Sequence, residues 1–117
     1  MIIRGDYMAS NEIRFQKNFR EYLENIGAYI LVMHGDGLNK RGIPDTIFCY
    51  KGYYFGCELK DKDKPSPLQL YNLRKINKSG GFGCLVYKSG FDKFIKFLSD
   101  VPNHKRNLLQ DGYYKFK

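Results

Sequence analysis

Residues 42–60 read GIPDTIFCYKGYYFGCELK and hold two runs of strand-forming residues, 45–50 and 53–60, separated by Lys51-Gly52. Glycine readily takes the positive φ that a two-residue turn requires, so this stretch predicts a β-hairpin. Counting back along both strands at equal pace from this turn places Asp45 directly opposite Glu58. The predicted hairpin therefore brings two carboxylates together on one face of a sheet.

This acidic pair has no structural benefit by itself. Directly opposed side chains lie about 4.5–5.5 Å apart at Cβ, and like charges at that distance repel unless a cation lies between them. Lys60 follows Glu58 by two residues, so strand alternation places its amine on the same face. The hairpin predicts a small patch of two carboxylates and one amine.

The residues before the hairpin predict one helix and one strand. Ser10 or Asn11 is a suitable N-cap, and residues 12–26 carry apolar side chains at helical spacing before Gly27 ends the pattern. Residues 29–33 form an uninterrupted apolar run that predicts a buried strand. A glycine-rich loop follows over residues 34–43.

The residues after the hairpin alternate between helix and strand. Pro67 suits a first helical turn and opens a helix over residues 67–79, after which residues 82–87 predict a strand and residues 91–98 a short helix. Residues 101–117 form a basic tail to which the sequence assigns no element. The order α-β-β-β-α-β predicts a single α/β domain over residues 1–117, with a core of about 10–100, whose mixed sheet begins as a three-stranded meander between flanking helices.

Two further polar residues can reach the predicted patch. Glu12 shares the helical face of Phe15 and Phe19, and an inward carboxylate is costly unless it meets a metal or hydrogen-bond donors. Alternatively, Glu12 only complements the helix dipole in the first turn. Gln69, in the first turn of the second predicted helix, offers a neutral donor and acceptor to the patch, or else it is a solvated surface residue.

Composition limits the class of protein. The 117 residues, 13.7 kDa, contain 20 Lys and Arg against 12 Asp and Glu, a net charge of +8 with a pI near 9.4. Such a chain attracts polyanions, and nucleic acid is the first partner to consider, although the charge could serve solubility alone.

No apolar run is long enough for a membrane span and no secretory signal is recognisable, so we expect a cytoplasmic protein of a bacterial or phage-infected cell. Cys49, Cys57 and Cys84 fit neither a disulfide framework nor a zinc site and are predicted to be reduced thiols in the core.

Taken together, these motifs resemble the PD-(D/E)XK nuclease superfamily, and within it the small virus-type replication-repair nuclease (VRR-NUC) family. The resemblance covers residues 12–87, and its residues occur in the family's order. They are the helical Glu12, the Gly27-Ala28 turn, the Gly-x-Pro-Asp of residues 42–45, the Glu-x-Lys of residues 58–60, Gln69, and a glycine before the fourth strand. The insert of residues 61–65 departs from the family pattern.

The resemblance implies a restriction-endonuclease-like core and a metal-dependent DNA endonuclease, with stand-alone members similar to enzymes that resolve four-way (Holliday) junctions. It implies a catalytic set of Asp45, Glu58, Lys60, Glu12 and Gln69. The metal ligands would be Asp45, Glu58 and the backbone carbonyl of Leu59, with Glu12 acting through water. Oxygen ligands of this kind suit Mg²⁺ or Mn²⁺.

Basic residues flank this predicted site on both sides. Lys40 and Arg41 precede Asp45, and Lys62 and Lys64 follow the Glu-x-Lys motif, so we expect them to contact DNA phosphates. His34 is a candidate for a general base, or else it binds backbone or a DNA phosphate. A homodimer is expected, because one small site per chain must be paired to cut two strands symmetrically. The alternatives are a catalytically silent nucleic-acid-binding module and a restriction-type enzyme with sequence preference.

Overall fold

The protein was analysed as a computed structural model that describes residues 4–32, 42–103, 109 and 111–117, with the side chains of residues 4–10 and 32 left aside. The elements in chain order are α1 (Arg4–Asn25), β1 (Tyr29–Val32), β2 (Thr46–Tyr50), β3 (Tyr53–Lys60), α2 (Pro67–Lys78), β4 (Phe82–Tyr87), α3 (Phe91–Ser99) and β5 (Tyr114–Phe116). Short 3₁₀ turns cover Lys88–Gly90 and Val101–Asn103. The predicted α-β-β-β-α-β order is confirmed.

The five strands form one mixed sheet in the order β1-β2-β3-β4-β5. The first three strands are antiparallel, whereas β4 runs parallel to β3 and β5 runs parallel to β4. The predicted meander and mixed sheet are thus confirmed. Since β3, β4 and β5 are parallel, their carboxyl ends lie at the same edge of the sheet.

The hairpin between β2 and β3 has the predicted two-residue turn. Lys51 has a φ of 52° and Gly52 a φ of 84°, two positive values in succession, as a type I′ turn requires. Tyr50 is paired with Tyr53, and the register continues without a bulge to Thr46 opposite Cys57. This register determines which side chains meet at the open end of the hairpin.

Helices cover both faces of the sheet. On one face, α1 and α3 pack their apolar side chains against the strands. Phe19 of α1, Phe94 of α3 and Phe55 of β3 belong to this core. On the other face, Leu73 of α2 packs against Leu85 and Tyr87 of β4. The side chain of Glu58 lies on this second face, because it alternates with Cys57 and Leu59 of the first core.

Asn77 fixes α2 to the sheet. Its amide nitrogen donates to the carbonyl oxygens of Leu73, Gly83 and Gly112 at 3.0–3.1 Å. Its carbonyl oxygen accepts the backbone N–H of Gly83 at 3.1 Å. One side chain therefore links α2, β4 and the segment before β5, and it sets the height of α2 above the sheet.

Several sequence-based expectations are wrong in detail. Helix α1 begins at Arg4, so Ser10 and Asn11 lie inside it and are not N-caps. The polar first turns of α1 carry no apolar stripe by which sequence periodicity could detect them. The first strand is not buried on both faces, because Tyr29 is 77% and Leu31 51% exposed.

Two further expectations need correction. Cys57 and Cys84 are buried as predicted, but Cys49 is exposed, because it lies on the sheet face opposite Phe48. The tail contains a strand, β5, which is only three residues long and pairs with a distant strand. None of the helices, within the described ranges, is both long and apolar enough to cross a bilayer.

Candidate active site

Asp45 lies where β2 and β3 separate. The last registered pair is Thr46 with Cys57, so Asp45 stands opposite Glu58, as the hairpin count predicts. The backbone N–H of Leu59 donates to Asp45 Oδ2 at 2.9 Å. At the open end of the hairpin, the Asp45 carboxylate thus serves as the acceptor that a backbone carbonyl would provide within the sheet.

Glu58 is the buried acid of the site, with a residue exposure of 1%. Its Oε1 accepts a hydrogen bond from Gln69 Nε2 at 2.8 Å and lies 3.9 Å from the ammonium of Lys60. Its Oε2 is buried and has no hydrogen-bond partner among the described residues. Oε1 is thus held in place by Gln69, whereas Oε2 remains available to a ligand or to a proton shared with Asp45.

The surroundings of Glu58 disfavour its charged form. Burial first, and the negative charge of Asp45 second, raise the pKa of Glu58 to about 9. The ammonium of Lys60 acts in the opposite direction and lowers it. Below about pH 9, Glu58 keeps its proton, and a divalent cation bound beside it would favour the charged form and displace the proton.

Gln69 has two functions in this arrangement. Its backbone N–H donates to the hydroxyl of Ser66 at 3.2 Å, and its Oε1 accepts the backbone N–H of Ser66 at 2.8 Å, which completes a capping box at the start of α2. The remaining amide group donates to Glu58. Gln69 is therefore held at both ends and fixes the orientation of the Glu58 carboxylate.

The donor set fits a hard divalent cation. Asp45 supplies a carboxylate, and Glu58 supplies the unpartnered buried Oε2. In a strand, the N–H and C=O of one residue point to the same side, so the carbonyl of Leu59 faces the side where its N–H meets Asp45. Oxygen ligands from one or two carboxylates and a carbonyl are typical of Mg²⁺ sites, which keep several waters. The predicted ligands are thus compatible with the geometry, and their function remains a prediction.

Glu12 is not brought into this group. It is half-buried on α1, whose apolar side chains pack on the sheet face opposite the Glu58 side chain. In the ranges that the structure describes, no three His, Cys, Asp or Glu side chains lie close enough to hold one ion. Glu12 therefore does not form a three-acid cluster with Asp45 and Glu58 in this structure, and its predicted action through water stays a prediction.

Comparisons with known proteins agree with this geometry. No family model matches the sequence, and the curated proteins give no match either. A solved structure described as a VRR-NUC domain matches with a TM-score of 0.60 and 28% sequence identity, over 75% of this chain and 94% of that one. The chain is thus similar to a VRR-NUC domain in both fold and sequence. Its mixed sheet with flanking helices is the fold that the resemblance implies.

The structure describes two of the five basic residues predicted around this site. Lys62 and Lys64 follow β3 and are exposed, as phosphate contacts require. His34, Lys40 and Arg41 lie outside the described residues. All five stay predictions as DNA-binding groups.

Sequence reasoning missed two groups that build this candidate site. The N–H of Leu59, which orients Asp45, was not foreseen, because a backbone donor leaves no mark in the sequence. Ser66, the N-cap that holds Gln69, was also missed. The spacing Ser66-x-x-Gln69 is the sequence pattern of a capping box and was sufficient to find it.

Proposed function

We propose that this chain, which is similar to a VRR-NUC domain, is a Mg²⁺-dependent DNA endonuclease that hydrolyses phosphodiester bonds, with Mn²⁺ as a substitute ion. The observation that carries the proposal is the buried Glu58, which stands opposite Asp45. Its Oε1 lies 3.9 Å from the Lys60 ammonium, and its Oε2 has no hydrogen-bond partner among the described residues. A chain with a net charge of +8 is also suited to a polyanionic substrate.

Each residue has a defined task in this proposal. Asp45, Glu58 and the Leu59 carbonyl would hold the ion, which supplies Lewis-acid polarisation of the scissile phosphate. Lys60, whose side chain is 16% exposed, lies at the border between the buried carboxylate and solvent. Its ammonium would orient the attacking water or stabilise the charge that develops on the phosphate. Gln69 would position the Glu58 carboxylate for the ion by donating to its Oε1.

The substrate is proposed to be branched DNA, including four-way junctions, and the active form a homodimer. Both statements derive from the family resemblance and from the need to cut two strands symmetrically with one site per chain. A mass in solution of twice the 13.7 kDa chain would support the dimer. A monomeric mass at the concentration used for cleavage would contradict it.

The proposal is tested by incubating the protein with linear, nicked, flapped and four-way DNA in Mg²⁺, Mn²⁺ or EDTA. We expect cleavage of branched DNA with either metal ion and none in EDTA. Glu58→Gln is the matched control, because it keeps the side-chain volume and removes the charge. Cleavage in EDTA, or equal cleavage by Glu58→Gln, would contradict a metal-dependent site at these residues. Binding of all four DNAs without cleavage would favour the silent binding module.

A further inference from the structure

The carboxyl ends of three parallel strands lie in a row that begins at Lys60. Lys60 of β3 is paired with Tyr87 at the end of β4. Val86 is paired with Phe116, so the next step of the register places Tyr87 beside Lys117, directly after β5. Residues paired across neighbouring strands share a sheet face, and Lys60 shares its face with Glu58. Lys60, Tyr87 and Lys117 therefore lie side by side on the face of the candidate active site.

Lys117 is held in this row by three contacts. Its ammonium lies 4.9 Å from the centre of the Tyr87 ring, a distance typical of a cation–π contact. Its carbonyl oxygen accepts a hydrogen bond from the Lys93 ammonium at 2.8 Å. The backbone of Phe116 and Lys117 also packs so closely on Gly90 that a Cβ there would collide with it. The charge of Lys117 is thus positioned by the fold.

A groove opens beside this row, and three lysines line it. Its lining comprises Asp61, Lys62, Tyr87, Lys88, Ser89 and Lys117. The lysine groove, as we name it, holds three ammonium groups against the single carboxylate of Asp61. In the part of the chain that the structure describes, no carboxylate lies within 4.0 Å of these three ammonium groups, since the ion pairs are Lys17–Glu21 and Lys60–Glu58. The side chains that line the groove therefore carry a net positive charge.

The groove has the chemistry of a phosphate-backbone site. Ammonium groups and a serine hydroxyl donate to phosphate oxygens, and such contacts set the register of a nucleic acid without reading its bases. The ring of Tyr87 is buried, so it supports Lys117 and offers no open face for a base. Strand spacing places β5 about 10 Å from β3, close enough for one nucleic acid strand to contact both Lys60 and Lys117.

We propose that the lysine groove binds the phosphodiester backbone of the strand being cut, on one side of the scissile phosphate. This proposal rests on the proposed function, because it places the scissile phosphate at Asp45, Glu58 and Lys60. Lys88 and Lys117 are positioning residues for the substrate. The candidate site and the groove form one continuous path along the carboxyl edge of β3, β4 and β5.

The first test compares Lys88→Ala and Lys117→Ala with Lys96→Ala, an exposed lysine in the last turn of α3 that does not line the groove. We expect each groove variant to weaken binding of four-way DNA in EDTA several-fold. The slope of log Kd against log salt concentration should become shallower by about 1 per lysine. Lys96→Ala should leave the slope unchanged, and Lys117→Arg should restore it. Equal slopes for Lys117→Ala and Lys96→Ala would overturn the proposal.

The second test identifies the phosphate. Single phosphates on either side of the cleavage point are replaced by uncharged methylphosphonates, and KM and kcat are measured with Mg²⁺. At one position, on one side of the cleavage point, the methylphosphonate should raise KM for the native protein. The same replacement should cause no further rise in KM for Lys117→Ala, and kcat should be unchanged in both proteins. Additive effects at every position would show that Lys117 contacts no phosphate of this strand.

Failure of this inference can be separated from failure of the proposed function. If the native protein cleaves no DNA but Lys117→Ala still changes the salt slope, the groove binds nucleic acid and the nuclease proposal fails. If cleavage requires Glu58 but neither groove variant differs from Lys96→Ala, the nuclease proposal stands and the groove does not bind substrate. A loss of inorganic phosphate binding without a change in DNA affinity would also overturn the assignment.

Discussion

The two carboxylates of the site differ in their partners. Asp45 accepts the Leu59 N–H, whereas Glu58 has one oxygen bound to Gln69 and the other without a partner among the described residues. An ion placed between them would complete the coordination of both. Removing either charge should therefore affect the reaction much more than the fold.

We expect Asp45→Asn or Glu58→Gln to lower the cleavage rate by at least about 100-fold, equivalent to about 3 kcal/mol in the activation barrier. DNA affinity in EDTA should be equal or higher, because Asp45→Asn removes a charge that repels phosphate, whereas Glu58, with its pKa raised to about 9, already carries a proton at neutral pH. Cleavage of four-way DNA in Mg²⁺ and a binding titration in EDTA measure the two effects. Near-normal turnover in either variant would rule out the site.

Lys60→Ala should lower the cleavage rate by about 100-fold or more, because an ammonium that stabilises developing negative charge is lost. The affinity for Mg²⁺ should be retained, because Lys60 is not a ligand. The rate at saturating metal, compared with a metal titration followed by thermal stability, separates the two properties. A rate restored by excess Mg²⁺ would assign Lys60 to metal binding and contradict its proposed task.

These residue positions were largely predictable, and the reason is local. A two-residue turn fixes the hairpin register, so the meeting of Asp45 and Glu58 followed from counting. The position of Glu12 was not predictable in the same way. Helical periodicity gives the face of α1 that is buried, but it does not give the sheet face on which α1 packs.

At the scale of elements, the start of α2 connects helix stability with the geometry of the site. The Ser66 hydroxyl caps the helix, and Gln69 both completes the cap and holds Glu58. Helix stability and the position of Glu58 can be separated experimentally. The Ser66 hydroxyl contributes to the helix cap alone, and the side-chain amide nitrogen of Gln69 contributes to the position of Glu58 alone.

We expect Ser66→Ala to lower the free energy of unfolding by about 1 kcal/mol and to leave kcat close to normal. Gln69→Glu should have the converse effect. Glutamate keeps the acceptor that completes the capping box but replaces the donor to Glu58 with a carboxylate. We expect a loss of about 10–100-fold in cleavage rate. Urea denaturation and a cleavage assay on both variants test this, and equal rates for Gln69→Glu and the native protein would contradict a positioning function.

The elements with strong local patterns were predictable, and the others were not. Strand β3 and the start of α2 have the predicted bounds, because a turn and a proline mark them. Strand β5 has three residues and depends on pairing with β4, a contact that no local pattern encodes. That strand delivers Lys117, so the lysine groove could not be predicted from the sequence.

At the scale of the whole molecule, the buried Glu58 couples stability to pH. Its pKa is about 9 in the folded protein and near 4.5 in an unfolded chain. Between these values the folded state keeps a proton that the unfolded state has released. Stability should therefore fall as pH rises through this range, by at most about 1.4 kcal/mol per pH unit for this one group.

We expect urea denaturation in EDTA to give a lower free energy of unfolding at pH 8 than at pH 6. The decrease should be smaller in Glu58→Gln, which cannot release this proton. Mg²⁺ should stabilise the native protein more at pH 8 than at pH 6, because ion binding must displace the proton at the lower pH. The same pH dependence in Glu58→Gln and the native protein would contradict the raised pKa.

The capping box at Ser66 and Gln69 also determines where the chain can tolerate insertions and deletions. Residues 61–65 connect β3 to the cap, and Lys62 and Lys64 are exposed within them. Both hydrogen bonds of the cap join Ser66 to Gln69. Extra residues placed before Ser66 would therefore not change the spacing between these two residues. The connecting segment should therefore accept a change in length without loss of the cap. Such variation would alter the rim of the substrate path while the carboxylate geometry stays fixed.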